Sequence, residues 1–188
     1  MKLGLFPNGT TEDQEYNKNE YGQIHQKRSG SMTYMSLRSY NYPERFIRHR
    51  NYLGEISPII SDLDKMDATF NLVWIDEVRQ IARLESYNYP NHFLRHQNYR
   101  IMISPDNQND PVMQGDSMWF VDGGLAGSEG ISFQSRNYPK FYIRHRNNQL
   151  WLDRINLNSE LDRKDSTFLV TRPWSDLLEN RQTYWTYY

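Results

Sequence analysis

Leu37 to Asn51 reads LRSYNYPERFIRHRN, and the phrase returns as LESYNYPNHFLRHQN from Leu84 to Asn98 and as FQSRNYPKFYIRHRN from Phe133 to Asn147. The shared core is Asn-Tyr-Pro, two free positions, an aromatic, an aliphatic, Arg, His, any residue and Asn. A second block trails each copy: Asp67-Ala68-Thr69-Phe70, Asp116-Ser117-Met118-Trp119 and Asp165-Ser166-Thr167-Phe168. His49 lies 47 residues before His96, and His96 lies 49 before His145, so one period of about 48 governs the chain. Such a period means one supersecondary unit used three times, each copy burying its apolar face against its neighbours.

Within a copy, β-branched and aromatic residues alternate with polar ones over short runs broken by Pro, Asn and Gly, which predicts strands. Pro fixes its own φ and pushes the preceding residue towards extended geometry, while Asn closes a turn through its side chain, so Asn-Tyr-Pro reads as a turn. The expected hairpin arms are Met35–Tyr40 and Arg45–Asn51. Further strands are expected at Leu53–Ile60, Thr69–Ile75, Arg100–Ser104, Met118–Asp122, Gln149–Ile155 and Thr167–Thr171, about four per repeat and about twelve in all. Propellers close with four or more blades, and no copy carries a sustained helical period. A pseudo-threefold barrel capped by hairpins removes its sheet edges with three copies, so the expected fold is an all-β β-trefoil. It should occupy residues 31–173, in repeats of about 31–78, 79–127 and 128–173, between a polar extension (1–30) and an aromatic tail (174–188).

Composition narrows the function classes. Lys and Arg number 22 against 23 Asp and Glu, so no basic field is available to hold a nucleic acid backbone. With no cysteine there is neither a disulfide framework nor a thiolate metal site. No segment reaches the apolar length of a membrane span, and Met1–Thr10 lacks the run of a secretory signal. Fourteen Tyr, eight Phe and five Trp supply large faces for a core or for ligand contact.

The compound Asn-Tyr-Pro, Arg-His-x-Asn and Asp-Ala-Thr-Phe pattern, met three times in order, resembles the AbfB domain, carbohydrate-binding module family 42, an arabinofuranose-binding β-trefoil joined to certain α-L-arabinofuranosidases. The resemblance implies non-catalytic binding of arabinofuranosyl side chains of arabinan or arabinoxylan, with no cofactor, in an extracellular setting. It also implies the binding pairs His49 with Asp67, His96 with Asp116, and His145 with Asp165; Asn51, Asn98 and Asn147 border the same segment. Repeat 2 departs furthest in the Asp block, and the loop from Ile56 to Met66 lacks the Asp-Gly-Ser expected there.

The chemistry suits such a ligand. A fixed carboxylate accepts hydroxyl protons, an imidazole accepts or donates, and an apolar wall can cover the C–H face of the ring. Tyr52, Tyr99 and Trp151 follow the motif closely enough to be walls. The same His could instead be a half-buried strand residue fixed by Asp, because core positions of a threefold fold also repeat. Arg48, Arg95 and Arg144 are expected on hairpin carbonyls or carboxylates; Asn41, Asn88 and Asn137 are expected in turn chemistry. Phe46, Phe93, Tyr142, Phe70, Trp119 and Phe168 are expected in the core. A His₃ metal site on the axis is an alternative, as is a calcium loop at Asp62-Leu63-Asp64 and Asp67; the latter lacks a glycine and a regular ligand ladder and is expected to be a solvated loop. Enzyme activity is not expected, because glycosidases work with two opposed carboxylates. The tail Tyr184-Trp185-Thr186-Tyr187-Tyr188 is expected to dock on the body or to meet a protein partner, and a lectin-like or toxin component recognising a surface glycan is the alternative function.

Overall fold

The computed structural model describes residues 34–175. Repeat 1 contributes β1 (Tyr34–Ser39), β2 (Phe46–Arg50), β3 (Leu53–Ser57), the helix α1 (Asp62–Asp67) and β4 (Phe70–Asp76). Repeat 2 contributes β5 (Ile81–Ser86), β6 (His92–Gln97), β7 (Arg100–Pro105), α2 (Pro111–Asp116) and β8 (Trp119–Gly123). Repeat 3 contributes β9 (Ile131–Ser135), β10 (Phe141–Arg146), β11 (Gln149–Arg154), α3 (Glu160–Asp165) and β12 (Phe168–Thr171).

The antiparallel pairings close a ring. β1 pairs β4, β4 pairs β5, β5 pairs β8, β8 pairs β9, β9 pairs β12, and β12 returns to β1 from Ser36↔Thr171 to Ser39↔Phe168. The other six strands form three hairpins, β2–β3, β6–β7 and β10–β11, whose inner strands β3, β7 and β11 all pair with one another. Arg100 ties this junction together by donating to the carbonyls of Gly54 (2.7 Å), Ile101 (3.3 Å) and Leu150. The result is an all-β, threefold arrangement in which every ring strand has two neighbours, so the ring has no edge.

The core follows from residues at equivalent places in the three copies. Leu37, Leu84 and Phe133 from the ring, Ile47, Leu94 and Ile143 from the hairpins, and Phe70, Trp119 and Phe168 from the closing strands are all buried in one cluster. Trp119 is the largest of them, and its indole Nε1 donates to the Leu94 carbonyl at 3.1 Å, which satisfies the one polar atom it buries. Of the motif aromatics, Phe93 is buried whereas Phe46 and Tyr142 are half-buried at the margin.

Three expectations are corrected. The arms expected to form a hairpin across Asn-Tyr-Pro, β1 and β2, meet in register only at Arg38↔Phe46; the hairpin is β2–β3, from Phe46↔Ser57 to Arg50↔Leu53. Its turn is the two residues Asn51-Tyr52, with φ of 50° and 66°, and Asn98-Tyr99 and Asn147-Asn148 repeat it. Two consecutive positive φ values define the mirror-image turn that matches strand twist, and Asn is the non-glycine residue that enters it most readily. Second, the strand expected over Leu53–Ile60 stops at Ser57, and the stretch expected to be a solvated loop or a calcium site coils into α1. Ser61 accepts from the Asp64 N–H while the Asp64 carboxylate accepts from the Ser61 N–H, a reciprocal cap. Ser159 and Asp110 start α3 and α2 in the same place. Third, Trp151 is not the counterpart of Tyr52 and Tyr99; it lies within β11, with the guanidinium carbons of Arg100 and Arg146 at 5.2 and 4.4 Å from its ring centre, and Asn148 holds the turn position.

The start of the expected tail packs on the body. The Trp174 N–H donates to Ser36 Oγ, the Ser175 N–H donates to Thr69 Oγ1, and the Trp174 ring meets Phe46 edge-on at 5.3 Å. The residues from 176 onward, with the aromatic run expected to dock or to bind a partner, and the extension before Tyr34 lie outside the described residues.

Candidate functional site

The three His–Asp pairs named from the sequence are each brought together, and each is completed by residues of the following repeat. Arg48 and His49 leave β2 side by side, and both are buried because the strand is covered on both faces. Asp67, the last residue of α1, arrives beneath them: Arg48 Nη2 donates to its Oδ2 at 2.7 Å, and Arg48 Nη1 reaches Asp64. Repeat 2 then supplies Ser86, Asn88 and Tyr89. Asn88 Nδ2 donates to Asp67 Oδ1 at 2.7 Å, Asn88 Oδ1 lies 3.1 Å from His49 Nε2, and Ser86 Oγ lies 2.9 Å from the same nitrogen.

The arrangement recurs. At the second site Arg95 holds Asp116 at 2.7 Å, Asn137 donates to Asp116 at 2.7 Å, and His96 Nε2 meets Asn137 Oδ1 at 3.0 Å and Ser135 Oγ at 3.3 Å. At the third, Arg144 holds Asp165 at 3.0 Å and Asn41 donates to Asp165 at 2.9 Å; His145 Nε2 meets Asn41 Oδ1 at 2.9 Å and Ser39 Oγ at 3.1 Å. Repeat 1 therefore closes the site of repeat 3, and the ring of sites closes where the ring of strands does. Repeat 2, which departs furthest in sequence, keeps this floor intact.

The network fixes the imidazole tautomer. Each Asn commits its amide N–H to a carboxylate, so its carbonyl oxygen faces the imidazole, and Nε2 must carry the proton that reaches it. Nδ1 is then an unprotonated lone pair with no hydrogen-bond partner among the described residues, and at site one it lies 3.6 Å from Asp67 Oδ1. Burial lowers the proton affinity of His49, His96 and His145 below the ordinary imidazole range, against the attraction of the neighbouring Asp, so the rings are neutral at neutral pH. Burial works against Asp64 in the opposite sense, but the N–H groups of Ser61 and Ile60 and the Arg48 guanidinium bring it down to about 2. Each floor thus presents a carboxylate with lone pairs to spare and a bare imidazole nitrogen, two acceptors suited to a ligand rich in hydroxyl donors.

An aromatic lip stands over each floor. The Tyr of Asn-Tyr-Pro meets the imidazole edge-on: Tyr89 on His49 at 5.3 Å, Tyr138 on His96 at 5.1 Å and Tyr42 on His145 at 5.5 Å. Tyr42 and Tyr138 are 42% and 40% exposed, whereas the three imidazoles are 2–4% exposed, so at sites three and two solvent meets the Tyr; Tyr89 at site one is half-buried. Tyr52 and Tyr99, expected as walls, stand beside these tyrosines: Tyr52 packs on Tyr89 and lies near-parallel to His92, and Tyr99 packs on Tyr138 and Phe141. The sequence reading missed the Ser-x-Asn pairs 39/41, 86/88 and 135/137 as site residues. Asn51, Asn98 and Asn147, expected beside the ligand, are turn residues whose side chains are exposed. The three arginines stand where expected, on carboxylates. The axial His₃ alternative is not realised: among the described residues no group of three His, Cys, Asp or Glu is placed to hold a metal. No described helix is long and apolar enough to cross a membrane.

The family model of the Alpha-L-arabinofuranosidase B (ABFB) domain matches residues 24–72 and 78–170. No curated protein matches the sequence. Among solved structures, an arabinofuranosidase complexed with arabinofuranosyl-alpha-1,2-xylobiose is similar with a TM-score of 0.65 and 21% identity, over 78% of this chain and 32% of that one. A mosquitocidal holotoxin is similar with a TM-score of 0.57 and 13% identity, over 74% of this chain and 16% of its own. A lectin of Polyporus squamosus bound to a human-type influenza-binding epitope is similar with a TM-score of 0.57 and 8% identity, over 77% of this chain and 50% of its own. The chain spans about a third of the arabinofuranosidase it matches.

Proposed function

The chain belongs to the Alpha-L-arabinofuranosidase B (ABFB) domain family, and on that premise we propose that it is a non-catalytic carbohydrate-binding unit on a β-trefoil plan. Its sites hold arabinofuranosyl side chains of branched polysaccharides such as arabinan or arabinoxylan, which puts its working compartment outside the cell. The observation that carries this reading is the threefold recurrence of one constellation, a carboxylate and a neutral imidazole under a Tyr, each assembled across a repeat boundary. The similar arabinofuranosidase in complex with an arabinofuranosyl oligosaccharide supports the choice of sugar.

In each site the His, Asp, Asn and Ser select hydroxyls by hydrogen bonds, and the tyrosines cover the apolar face of the ring. The non-catalytic reading is supported at site one by carboxylates already engaged within the fold: Asp67 with Arg48 and Asn88, and Asp64 with Arg48 and the start of α1. Single sites of this kind bind weakly, roughly millimolar to micromolar, and several engaged on one branched chain gain about 10² or more.

A second reading, a lectin-like receptor-binding component that recognises a surface glycan or a protein, is favoured by the likeness to the holotoxin and the lectin. Calorimetric titration with arabinose-branched oligosaccharides, beside galactose and xylose oligomers, separates the two. Saturable heat with the arabinosyl ligands alone is expected. Binding confined to galactosyl ligands, or none to plant-type sugars, would transfer the function to the second reading.

A further inference from the structure

The three floors are alike, but the rims are not. Each rim is a pair built across the repeat boundary: the second turn residue of one hairpin, and the residue just before the motif aromatic of the next repeat. At site one the pair is Tyr52 and His92, near-parallel at 6.2 Å. At site two it is Tyr99 and Phe141, tilted at 6.0 Å. At site three it is Asn148 and Arg45, joined by a hydrogen bond from Arg45 Nη1 to Asn148 Oδ1. A wall of two rings has become a guanidinium on an amide.

Arg45 belongs to the site as well as to the surface. Its guanidinium carbon lies 5.4 Å from the centre of the Tyr42 ring, the ring that stands over His145. Its charge reaches His145 and adds to the forces that keep that imidazole unprotonated, whereas the charges acting on His96 are Asp116 and Arg95. Arg45 Nε is paired with Glu44 at 3.1 Å, and Nη2 has no partner among the described residues. The Glu44 pair joins sequence neighbours at the surface, Glu44 being 56% exposed, so solvent screens it and a ligand can displace it.

We propose that site three takes an acidic sugar, a uronic acid residue whose carboxylate meets Arg45 while its hydroxyls meet the His145, Asp165 and Asn41 floor, and that sites one and two take neutral sugars. This rests on the carbohydrate reading and divides the labour within it. The physical basis is the match of a planar guanidinium to a carboxylate, which a neutral sugar forgoes. An aromatic wall favours the C–H face of a neutral furanose and carries no guanidinium to match a carboxylate. A polysaccharide bearing both arabinosyl and uronic acid branches would then be held by different sites at different branches.

The test is an NMR titration of the full chain, labelled with ¹⁵N, with three probes: methyl α-L-arabinofuranoside, methyl β-D-glucuronoside and methyl β-D-glucoside. The last two differ only in the carboxylate. The glucuronoside is expected to move the side-chain amides of Asn41 and Asn148 at a midpoint about tenfold lower than the glucoside. Arg45→Gln, a surface change, brings the two midpoints together, and so does the rim of site two installed by Arg45→Phe with Asn148→Tyr. Salt near about 0.5 M shrinks the preference in the wild type. Equal midpoints for glucuronoside and glucoside, or a preference that survives Arg45→Gln, overturns the proposal. The arabinofuranoside reports separately: movement of the Tyr52 and Tyr99 amides without any glucuronoside preference at site three leaves the carbohydrate reading standing and removes this inference alone.

Discussion

Floor and rim of the same sites obey different rules. The floor, Arg, His, Asp, Ser and Asn, is identical in type at all three places, with its His, Asp and Ser buried and its Asn nearer the surface; the rim, Tyr52 with His92, Tyr99 with Phe141, Asn148 with Arg45, changes at each and lies towards water. A buried polar network tolerates little variation, because removing one member strands the others away from water. The rim has no such debt and is free to diverge, so identity of the floor marks what the sites share and the rim marks what each selects.

The largest effect expected is on the floor. Asp67→Ala takes from the buried Arg48 one of its carboxylate partners, leaving Asp64 and, at 4.0 Å, Glu55, and removes an acceptor from site one; stability should drop by about 3 kcal/mol in urea denaturation, with sugar binding at that site lost. A variant as stable as the wild type would mean that the floor is not the network described.

Acid should act on all three floors together. Burial holds His49, His96 and His145 below their ordinary value of 6.5, so the folded chain refuses protons that the unfolded chain accepts. Their contribution to stability is complete above that value and is lost as pH falls from it through the depressed folded values. Sugar binding should fall only at the lower end of that range, as pH passes the depressed folded values, because a protonated Nδ1 cannot accept. Melting curves and titrations between about pH 7 and 5 check both; a melting temperature that is flat across that window would contradict the neutral, buried imidazoles.

The rim predicts the reverse balance. Tyr52→Ala should weaken binding at site one by about 0.5–1.5 kcal/mol, with an unchanged melting temperature, since Tyr52 is 46% exposed and its ring packs at the surface on Tyr89 and His92. Loss of stability comparable to that of Asp67→Ala would erase the distinction between rim and floor.

The smallest effect sharpens the role of the arginines. Asp122 is a carboxyl that burial pushes above its ordinary value of 3.8, with the Tyr142 hydroxyl donating to it but no arginine beside it. Deprotonated, it costs stability; that cost is absent below its unfolded value and complete above its folded one. Asp122→Asn should therefore raise the melting temperature modestly at pH 7 and change nothing near pH 3, whereas the arginine-paired Asp67 shows no such gain when neutralised.

The sequence disclosed the period, the strands and the His–Asp pairing, because each is a local pattern or a repeated one. Helices α1, α2 and α3 escaped because six residues are fewer than two turns, too short for an apolar period to register; the legible signal was Ser61-x-x-Asp64 and Ser159-x-x-Asp162, a capping pattern. Asn88 escaped for a different reason. Aligning repeats stacks Asn41, Asn88 and Asn137 in one column, as turn residues, and hides that each serves the His of the copy before it. Proximity along the chain misled in the other direction: it suggested Asn51 and Trp151, which the positive-φ turn and the strand register carry away from the floor. The rim difference at site three could be read only after the hairpin turns were placed, since Asn148 and Arg45 are 103 residues apart.

The central claim, that sugars bind at the His–Asp–Asn floors, is tested most directly by observing the imidazole nitrogens of His49, His96 and His145 by NMR while an arabinofuranosyl oligosaccharide is added. The Nδ1 signals of His49 and His96 should move together and saturate at the midpoint found by calorimetry, each shifting as a lone pair that has gained a hydroxyl donor. Saturable binding with all three imidazoles unmoved would place the sugar elsewhere and leave these clusters as struts of the fold.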